Sequence, residues 1–572
     1  AEPPKLLTGG GRTAAFRDPR ASQGRGGWST VRPLVAVTMG IVSEAVHEVT
    51  AVLASANLLL VSALVVVIAI YAISAPTVRG VAAGPPSYPI LGSTIEFLAN
   101  REVLPDFFLK YSRINGFKTS WPLSIIAVGP FHRGGFVLCT PSCVKHVLKD
   151  RFERYEKTAA VQETLSEFLG NGIFTSDGAI WKLHRKVAAN MFSRKFLREA
   201  TFVAAEQVSK VVDRIDGFAK AGTSFDLQRL MFAFTIDVFA LIAFGVDLKS
   251  IELQEPHPFA KAFDRVQTRS NNRFPNPFWR LGRLLRTVDE REITADCKVI
   301  HQFAADVIAS KRADLARGCH LGLDLLSRFV EKKDMSTEEM TDVVLNFMIA
   351  GRDTTAAGLS WTMYELLRHP FHIAAVRKEV ETVLGESYGG ARFSDLSHQD
   401  MYAMVETKLP YLRAVVLEGL RLHPSVMKDL KFCIEDDVLP DGTHVKKGQA
   451  VLYAPYVLCR NPHVWEEPDS FKPERFLNKV GVDRVLSGDG NEDAATASLH
   501  KAANVSDYEY PVFNAGPRVC LGRPLALLEM MLILATIIPD FDFEFSRPHD
   551  ASYTSSLVSQ LKHGLNVKAT RR

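Results

Sequence analysis

The stretch Phe513-Asn-Ala-Gly-Pro-Arg-Val-Cys-Leu-Gly522 constrains this chain more than any other, because it surrounds one cysteine with residues that suit a thiolate. The apolar run from Pro524 to Ile538 predicts a helix whose N-terminus lies beside Cys520, and proline fits that first turn. A helix N-terminus stabilises negative charge, so the sulfur can act as an anionic ligand. A lone cysteine is more often a buried structural thiol, but the spacing Phe-x-x-Gly-x-Arg-x-Cys-x-Gly is far more specific than a lone cysteine.

The other specified residues of this stretch predict a binding loop for a flat group. Gly516 and Gly522 lack a Cβ and let the backbone approach such a group closely. Arg518 can offer a cationic fork to a carboxylate, and Phe513 can cover the sulfur with apolar surface.

Size and composition exclude several classes of protein. The chain has 572 residues, with 68 Lys and Arg against 64 Asp and Glu, so it has no charge excess typical of nucleic-acid binding. Its seven cysteines are odd in number and scattered, which predicts neither a disulfide framework nor a zinc site. They are Cys139, Cys143, Cys297, Cys319, Cys433, Cys459 and Cys520.

The N-terminal region divides into three parts by composition. Residues 1–47 are rich in Gly, Ala, Ser and Arg, and predict a disordered or targeting extension. Residues 48–78 are apolar over a length that can cross a bilayer as one transmembrane helix. The prolines of residues 79–93 predict a hinge, and residues 94–572 a single catalytic domain.

The segment Ala350-Gly-Arg-Asp-Thr-Thr355 carries a second chemical signal within a predicted helix. That helix begins at the capping box Ser336-x-x-Glu339 and ends before Pro370. Glycine costs a helix interior about 1 kcal/mol, which a flat ligand or dioxygen lying against the backbone would offset. Thr354 can bond the preceding turn and open the helix, and Asp353 beside it can relay protons through water. The alternative is the N-cap of a second helix.

Together these motifs resemble the cytochrome P450 family over roughly residues 85–570. The resemblance implies a mainly α fold with a small β region, preceded by the single N-terminal transmembrane helix. Strand-like pieces at residues 125–128 and 450–453 and an apolar core helix from Asp226 to Gly245 suit that fold.

The resemblance also implies roles for individual residues. Cys520 is the axial ligand of heme b iron, and Asp353 and Thr354 are the catalytic pair that activates dioxygen. The cofactor-binding residues are Trp181, Arg185, Lys431, Phe513, Gly516, Arg518 and Gly522. Glu418, three positions before Arg421 on one helical face, forms a structural network with Arg421 and Arg475.

Within the family the chain most resembles plant and fungal fatty-acid omega-hydroxylases. The supporting motifs are Gly172-Ile-Phe-Thr-Ser-Asp-Gly178, the arginine of Ala350-Gly-Arg-Asp-Thr, and Leu439-Pro-Asp-Gly442 with Val445-Lys-Lys-Gly448. The expected reaction inserts one oxygen atom from dioxygen near the end of an acyl chain. Electrons come from NADPH through a separate NADPH-cytochrome P450 reductase or another donor, because no flavin or nicotinamide site is evident in the chain.

The sequence leaves other substrates and other functions open. The substrate could be another lipid such as a sterol or terpenoid, and the protein could be a heme-thiolate isomerase or dehydratase of lipid hydroperoxides, or a non-catalytic heme binder. Thr354 and the ungapped cysteine loop argue against the isomerase. The expected location is the endoplasmic reticulum membrane with a cytosolic catalytic domain. The N-terminal arginines leave a plastid or other organelle membrane open, and by the positive-inside rule they favour the opposite topology.

Overall fold

The computed structural model describes residues 61–62, 84–87, 92–123, 134–189, 192–276, 278–317, 324–330, 335–477 and 505–572. The chain separates into two units, residues 1–75 and 76–572. In the first unit the described residues, Val61 and Ser62, are helical. The predicted extension of residues 1–47, nearly all of the anchor of residues 48–78, much of the hinge and the strand at 125–128 lie outside the described residues.

The second unit is mainly helical, as predicted. Its described helices are α1 (Thr94–Ala99), α2 (Leu104–Ile114), α3 (Pro141–Lys145), α4 (Thr158–Leu169), α5 (Gly178–Ala189), α6 (Arg194–Ala221), α7 (Leu227–Phe244), α8 (Pro258–Arg273), α9 (Trp279–Leu284), α10 (Val288–Ala316), α11 (Leu325–Val330), α12 (Thr337–Met348), α13 (Thr354–Arg368), α14 (Pro370–Tyr388), α15 (His398–Thr407), α16 (Pro410–Leu422), α17 (Pro455–Leu458) and α18 (Arg523–Asp540).

The strands form small sheets. They are β1 (Trp121–Leu123), β2 (Gly135–Leu138), β3 (Tyr155–Glu156), β4 (Phe225–Asp226), β5 (Asp429–Cys433), β6 (Asp437–Val438), β7 (His444–Val445), β8 (Ala450–Tyr453), β9 (Phe541–Phe545) and β10 (Asn566–Arg571). The largest sheet has the order β1-β2-β8-β5-β3, in which β2 and β8 are parallel and the other pairs antiparallel. The prediction of a strand at residues 450–453 is confirmed.

The core is built around α13, which packs against α7 and α16, while α18 packs against α6 and α16. Helix α7 is apolar on all faces and nearly every residue in it is buried, as expected of a helix enclosed by others. Its one acid, Asp237, is fully buried and accepts hydrogen bonds from the backbone N–H groups of Ser250 and Ile251, both at 2.9 Å. The core helix predicted from Asp226 to Gly245 is therefore confirmed, with α7 one residue shorter at each end.

Among the described residues, α7 is also the one helix with the length and hydropathy of a membrane span. However, 83% of it is buried inside the protein, as befits a core helix.

Candidate active site

The cysteine loop ends against the N-terminus of α18. The backbone N–H of Cys520 donates to the Phe513 carbonyl at 2.8 Å, which closes the loop. The thiol is free and is accessible from an internal cavity whose wall it shares with Phe513 and Gly522. The loop therefore presents an unbonded sulfur to an enclosed space.

Two opposing effects act on the charge of this sulfur. Burial among protein atoms raises the pKa of the Cys520 thiol above its usual value. The backbone N–H groups of Gly522 and Arg523, at the start of α18, and the guanidinium groups of Arg185 and Arg523 lower that pKa. The helix N-terminus thus acts on the sulfur in the predicted direction, although burial is the larger effect.

The two loop glycines have different surroundings. Gly516 has φ +63°, and a Cβ there would lie 2.0 Å from the Leu148 carbonyl oxygen. It therefore allows a close approach to another part of the chain, and its expected role beside a flat cofactor stays a prediction. A Cβ at Gly522 would lie 3.8 Å from the Cys520 sulfur, an ordinary contact, and Gly522 does face the cavity.

Trp181, Arg185 and Arg518 meet on the wall of the same cavity. The Arg518 guanidinium lies 4.5 Å from the centre of the Trp181 ring and donates to Asp177 at 2.6 Å. Arg185 donates to the Val519 carbonyl at 2.8 Å, next to Cys520. The Nε of Arg518 is buried without a hydrogen-bond partner. This cluster therefore keeps unused donor capacity beside the cysteine loop.

Lys431 is in the right region but on the other face of its strand. Its neighbours on β5, Leu430 and Phe432, line the cavity, whereas Lys431 does not. Lys431 is 1% exposed, and its ammonium has no hydrogen-bond partner. Burial lowers its pKa far below the usual value, and Lys157 and Arg518 lower it further. The structure thus places Lys431 behind the wall, close enough to these two cations to feel their charge.

Lys157, which sequence reasoning missed, does line the cavity. It lies just before α4, and its ammonium is 3.7 Å from Asp429. Nothing in the local sequence sets this lysine apart, because its position depends on the pairing of β3, which it follows, with β5. It adds a positive charge to the cavity wall near Arg518.

The predicted central helix is continuous from Thr337 to Arg368 but contains a wider turn. Its N-terminus has the predicted capping box, in which Ser336 and Glu339 satisfy each other's backbone N–H groups. Residues Ile349–Asp353 form one π turn, and the Thr354 hydroxyl donates to the Ala350 carbonyl at 2.7 Å. The helix is therefore opened where the sequence predicted it.

Gly351 has a packing reason that the sequence did not show. A Cβ at Gly351 would lie 1.9 Å from the ring of Phe239 on α7. The glycine therefore admits an aromatic ring of the core. Gly351 also lines the cavity together with Ala350 and Thr354, so a ligand against the backbone at this point stays a prediction.

Asp353 points into a buried charge cluster and is not on the cavity wall. Arg352 pairs with Asp264 at 2.6 and 3.1 Å, and its Nη1 lies 2.8 Å from the Oδ1 of Asp353. Gln267 donates to the other carboxylate oxygen of Asp353 at 2.8 Å. Burial raises the pKa of Asp353, and Arg352 opposes that rise. A buried carboxyl with a raised pKa can take up and release a proton near neutral pH.

Glu418 contacts both Arg421 and Arg475, the two arginines that the sequence grouped with it. Arg421 pairs with both carboxylate oxygens of Glu418 at 2.7 and 2.9 Å, and Arg475 donates to Glu418 at 3.0 Å. The side chains of Glu418 and Arg421 are 0% exposed. Arg421 also donates to three backbone carbonyls, of Cys459, Pro468 and Ser470.

The cavity has a volume of about 530 Å³ and a mostly apolar wall. Its wall includes Phe347, Ala350 and Val426, three residues that the sequence suggested for a substrate channel. Other apolar side chains come from α1, α2, α4 and the start of α18, among them Phe97, Phe108, Leu165 and Leu525. Apolar walls with a few convergent polar groups are typical of small-molecule sites.

Comparisons with known proteins agree with this geometry. A sequence model of the family described as cytochrome P450 matches residues 84–568. Cytochrome P450 704B1 of Arabidopsis thaliana is 31% identical over 526 residues, which is 86% of this chain and 95% of that protein. Cytochrome P450 94A2 of Vicia sativa is 30% identical over 503 residues, or 85% of this chain and 91% of that protein.

A solved structure shares the fold. It is described as the crystal structure of the cytochrome P450DA heme domain, with a TM-score of 0.67 and 22% identity. The superposition covers 86% of this chain and 98% of that chain. At this identity the likeness concerns the fold alone.

Proposed function

This chain belongs to the cytochrome P450 family, and from that premise we propose that it hydroxylates a fatty acid near its terminal carbon. As a member of the family it is a monooxygenase with heme b as cofactor, bound through a cysteine thiolate, and it receives electrons from a redox partner. The observation that carries the proposal is the free Cys520 thiol on the wall of the same apolar cavity as Thr354.

We propose that Cys520 holds the heme iron and that the cations near it hold the propionates. The residues present suit this group in their chemistry. The thiol is unbonded, and the buried Nε of Arg518 and Nζ of Lys431 have no hydrogen-bond partner, so the protein leaves cationic donors unmatched. Trp181, Arg185 and Phe513 line the same cavity. Lys157, which the sequence did not single out, lines it as well.

When bound, the heme uses dioxygen and two electrons to insert one oxygen atom into a C–H bond, while the other oxygen takes up two protons and leaves as water. In our proposal Asp353 holds a proton for this step. Its Oδ1 is buried 2.8 Å from the Nη1 of Arg352 but makes no hydrogen bond, so it keeps the capacity to accept a proton. Thr354 faces the cavity and would position a water, since its hydroxyl oxygen keeps acceptor capacity after donating to Ala350.

A fatty acid is supported by the cavity's long apolar wall and by the sequence resemblance to omega-hydroxylases. Phe97 and Phe108 from the first helices and Phe347 from the central helix would contact the acyl chain. Burial of methylene groups against such side chains contributes about 0.8 kcal/mol each. A sterol or terpenoid would meet the same wall, so a substrate screen has to decide between these lipids.

We propose that the protein is held at the endoplasmic reticulum membrane by residues 48–78, with the domain of residues 94–572 in the cytosol. A plastid membrane is the alternative. An apolar surface on the described part of the domain supports membrane contact. Around α9, large apolar side chains are exposed in one short stretch, at Phe278, Leu281, Leu284, Leu285 and Val288.

The electron donor would dock on the side of the domain that carries Cys520. Four exposed cations lie close together in the sequence, on α5 and at the start of α6, and an acidic partner surface would complement them. They are Lys182, Lys186, Arg194 and Lys195. We propose NADPH-cytochrome P450 reductase as this donor.

The proposed function is tested with purified holoenzyme, a reductase and NADPH in a screen of fatty acids, sterols and terpenoids with mass-spectrometric products. We expect terminal hydroxylation of a fatty acid, lowered about 100-fold in Thr354→Ala with heme content unchanged. Ser360→Ala is the matched control, because Ser360 makes the same 2.7 Å bond to a preceding carbonyl of α13 but is not on the cavity wall. It should keep turnover.

Three results would contradict the proposal. Conversion of lipid hydroperoxides without reductase would indicate an isomerase or dehydratase. Exclusive oxidation of a sterol or terpenoid would exclude the fatty acid. A thiolate-type carbon monoxide spectrum that survives in Cys520→Ala would show that another residue holds the iron.

A further inference from the structure

Lys428 stands out among the charged side chains of the cavity. It lies in the short segment between α16 and β5, is partly buried, and lines the cavity together with Ser425 and Val426. The Ser425 hydroxyl donates to the Thr354 carbonyl at 2.7 Å, which ties this segment to the central helix. Lys428 therefore belongs to a wall segment that is anchored to the central helix.

Every other cation on the described cavity wall has a partner, whereas Lys428 has none among the described residues. Their partners are carboxylates or backbone carbonyls at hydrogen-bond or ion-pair distance. The pairs are Lys157 with Asp429, Arg185 with the Val519 carbonyl, Arg273 with Glu290, Arg280 with Glu163 and Arg518 with Asp177. An unmatched ammonium in an apolar cavity is costly, and an anion bound there would offset that cost.

The location of Lys428 separates it from the cations near the cysteine loop. Burial alone lowers the pKa of Lys428 to about 8. In contrast, Lys431 three residues later is affected by Lys157, Arg518, Asp429 and Asp177 as well as by burial. Lys428 also makes no ion pair with Asp429 or Asp177, the two carboxylates that Lys157 and Arg518 contact.

We infer that Lys428 binds the carboxylate of an anionic lipid substrate inside the cavity. This inference rests on the proposed function and names the headgroup that its site selects. A single ammonium matches the single charge of a carboxylate, whereas a phosphate ester with nearly two charges would keep one unmatched charge in apolar surroundings. Lys428 thus selects free acids over neutral lipids of the same chain length.

The test is a binding experiment on the full-length holoenzyme. Dodecanoic acid, its methyl ester and 1-dodecanol are titrated by equilibrium dialysis against wild-type protein, Lys428→Met and Lys428→Arg. We expect wild-type protein to bind the acid at least about tenfold tighter than the ester. Lys428→Met should lose that preference while binding the ester and the alcohol as before, and Lys428→Arg should keep most of it.

Lys446→Met is the control, because Lys446 is exposed and paired with Asp436 on the protein surface. It should bind all three compounds as wild-type protein does. The inference is overturned if Lys428→Met keeps the preference, if it weakens acid and ester equally, or if it loses heme while Lys446→Met does not. The last result would assign Lys428 to a propionate.

Failure of the inference and failure of the proposed function give different results. If wild-type protein oxidises the ester and the alcohol but shows no preference for the acid, the role of Lys428 is wrong and lipid hydroxylation stands. If wild-type protein neither binds nor oxidises any of the three compounds or other fatty acids, both are wrong.

Discussion

Two buried charge clusters in this domain differ in how completely their charges are matched. In the cluster of Glu418, Arg421 and Arg475, all the N–H donors of Arg421 are used, on Glu418 and on three carbonyls. In the cluster of Arg352 and Asp353, the Nε of the arginine and the Oδ1 of the acid make no hydrogen bond. The first cluster has no capacity left for another group, which suits a scaffold, while the second keeps capacity for a water or a proton.

Arg421→Met is the strongest test of the saturated cluster. Loss of the guanidinium leaves the buried Glu418 with two partners, Arg475 and the backbone N–H of Lys472, and removes donors from three carbonyls. We expect the free energy of unfolding to fall by about 3–5 kcal/mol, measured by denaturant titration of the holoenzyme.

Arg475→Met is the matched variant within the same cluster. Arg475 is more exposed, at 12%, and makes one bond to Glu418, so its loss should cost about 1–3 kcal/mol. If the two variants lower stability equally, or if Arg421→Met is as stable as wild-type protein, the cluster is not the scaffold that its saturation indicates.

Asp353→Asn tests the unsaturated cluster. The amide keeps the shape of the side chain but cannot release a proton in the same way, so turnover should fall about 100-fold or more with heme content unchanged. Asp264→Asn is the control, because Asp264 lies on the other side of Arg352 and is 40% exposed. A smaller fall in Asp353→Asn than in Asp264→Asn would contradict the role of Asp353 in proton transfer.

The same variant changes the dependence of stability on pH. Burial raises the pKa of Asp353 in the folded state above the value of 3.8 that applies without burial. The protonated carboxyl therefore favours the fold, and this stabilisation is fully present below pH 3.8 and is lost as the pH rises through the raised pKa. In Asp353→Asn this contribution is absent, so the free energy of unfolding should fall less as the pH rises from acidic to neutral, as measured by denaturant titrations. An unchanged fall would contradict the raised pKa of Asp353.

Gly351→Ala probes the packing of the π turn, with the smallest expected effect. Its methyl group would meet the Phe239 ring, and overpacking of this kind costs about 1–3 kcal/mol. Gly385→Ala is the control, because a Cβ there has nothing within 4 Å, and alanine in α14 should stabilise by about 0.5–1 kcal/mol. Equal stability of the two variants would show that Phe239 can move aside.

Local signals in the sequence predicted much of this arrangement. The capping box of Ser336 and Glu339, the core helix around Asp237 and the mainly α fold are confirmed. Glu418 and Arg421 contact each other because residues three apart share a helical face. The roles proposed for Cys520, Asp353 and Thr354 stay predictions until the variants are measured.

What the sequence could not provide depends on register and on long-range packing. On a strand, neighbouring residues face opposite sides, so the pairing of β5 with β8 decides that Leu430 and Phe432 line the cavity and Lys431 does not. Lys157 and Lys428 reach the wall through contacts between distant elements. The fit of Phe239 against Gly351 joins α7 to the central helix across more than a hundred positions of sequence.

Asp237 has a consequence for where α7 can go before the domain is folded. A newly made helix of this length and hydropathy could enter a bilayer as well as a protein core. An acid at the centre of a membrane helix costs about 2.5–3.5 kcal/mol on insertion scales. In the folded domain the same carboxylate gains two backbone donors from Ser250 and Ile251. One carboxyl group thus makes lipid a poorer destination for α7 than the interior of its own domain.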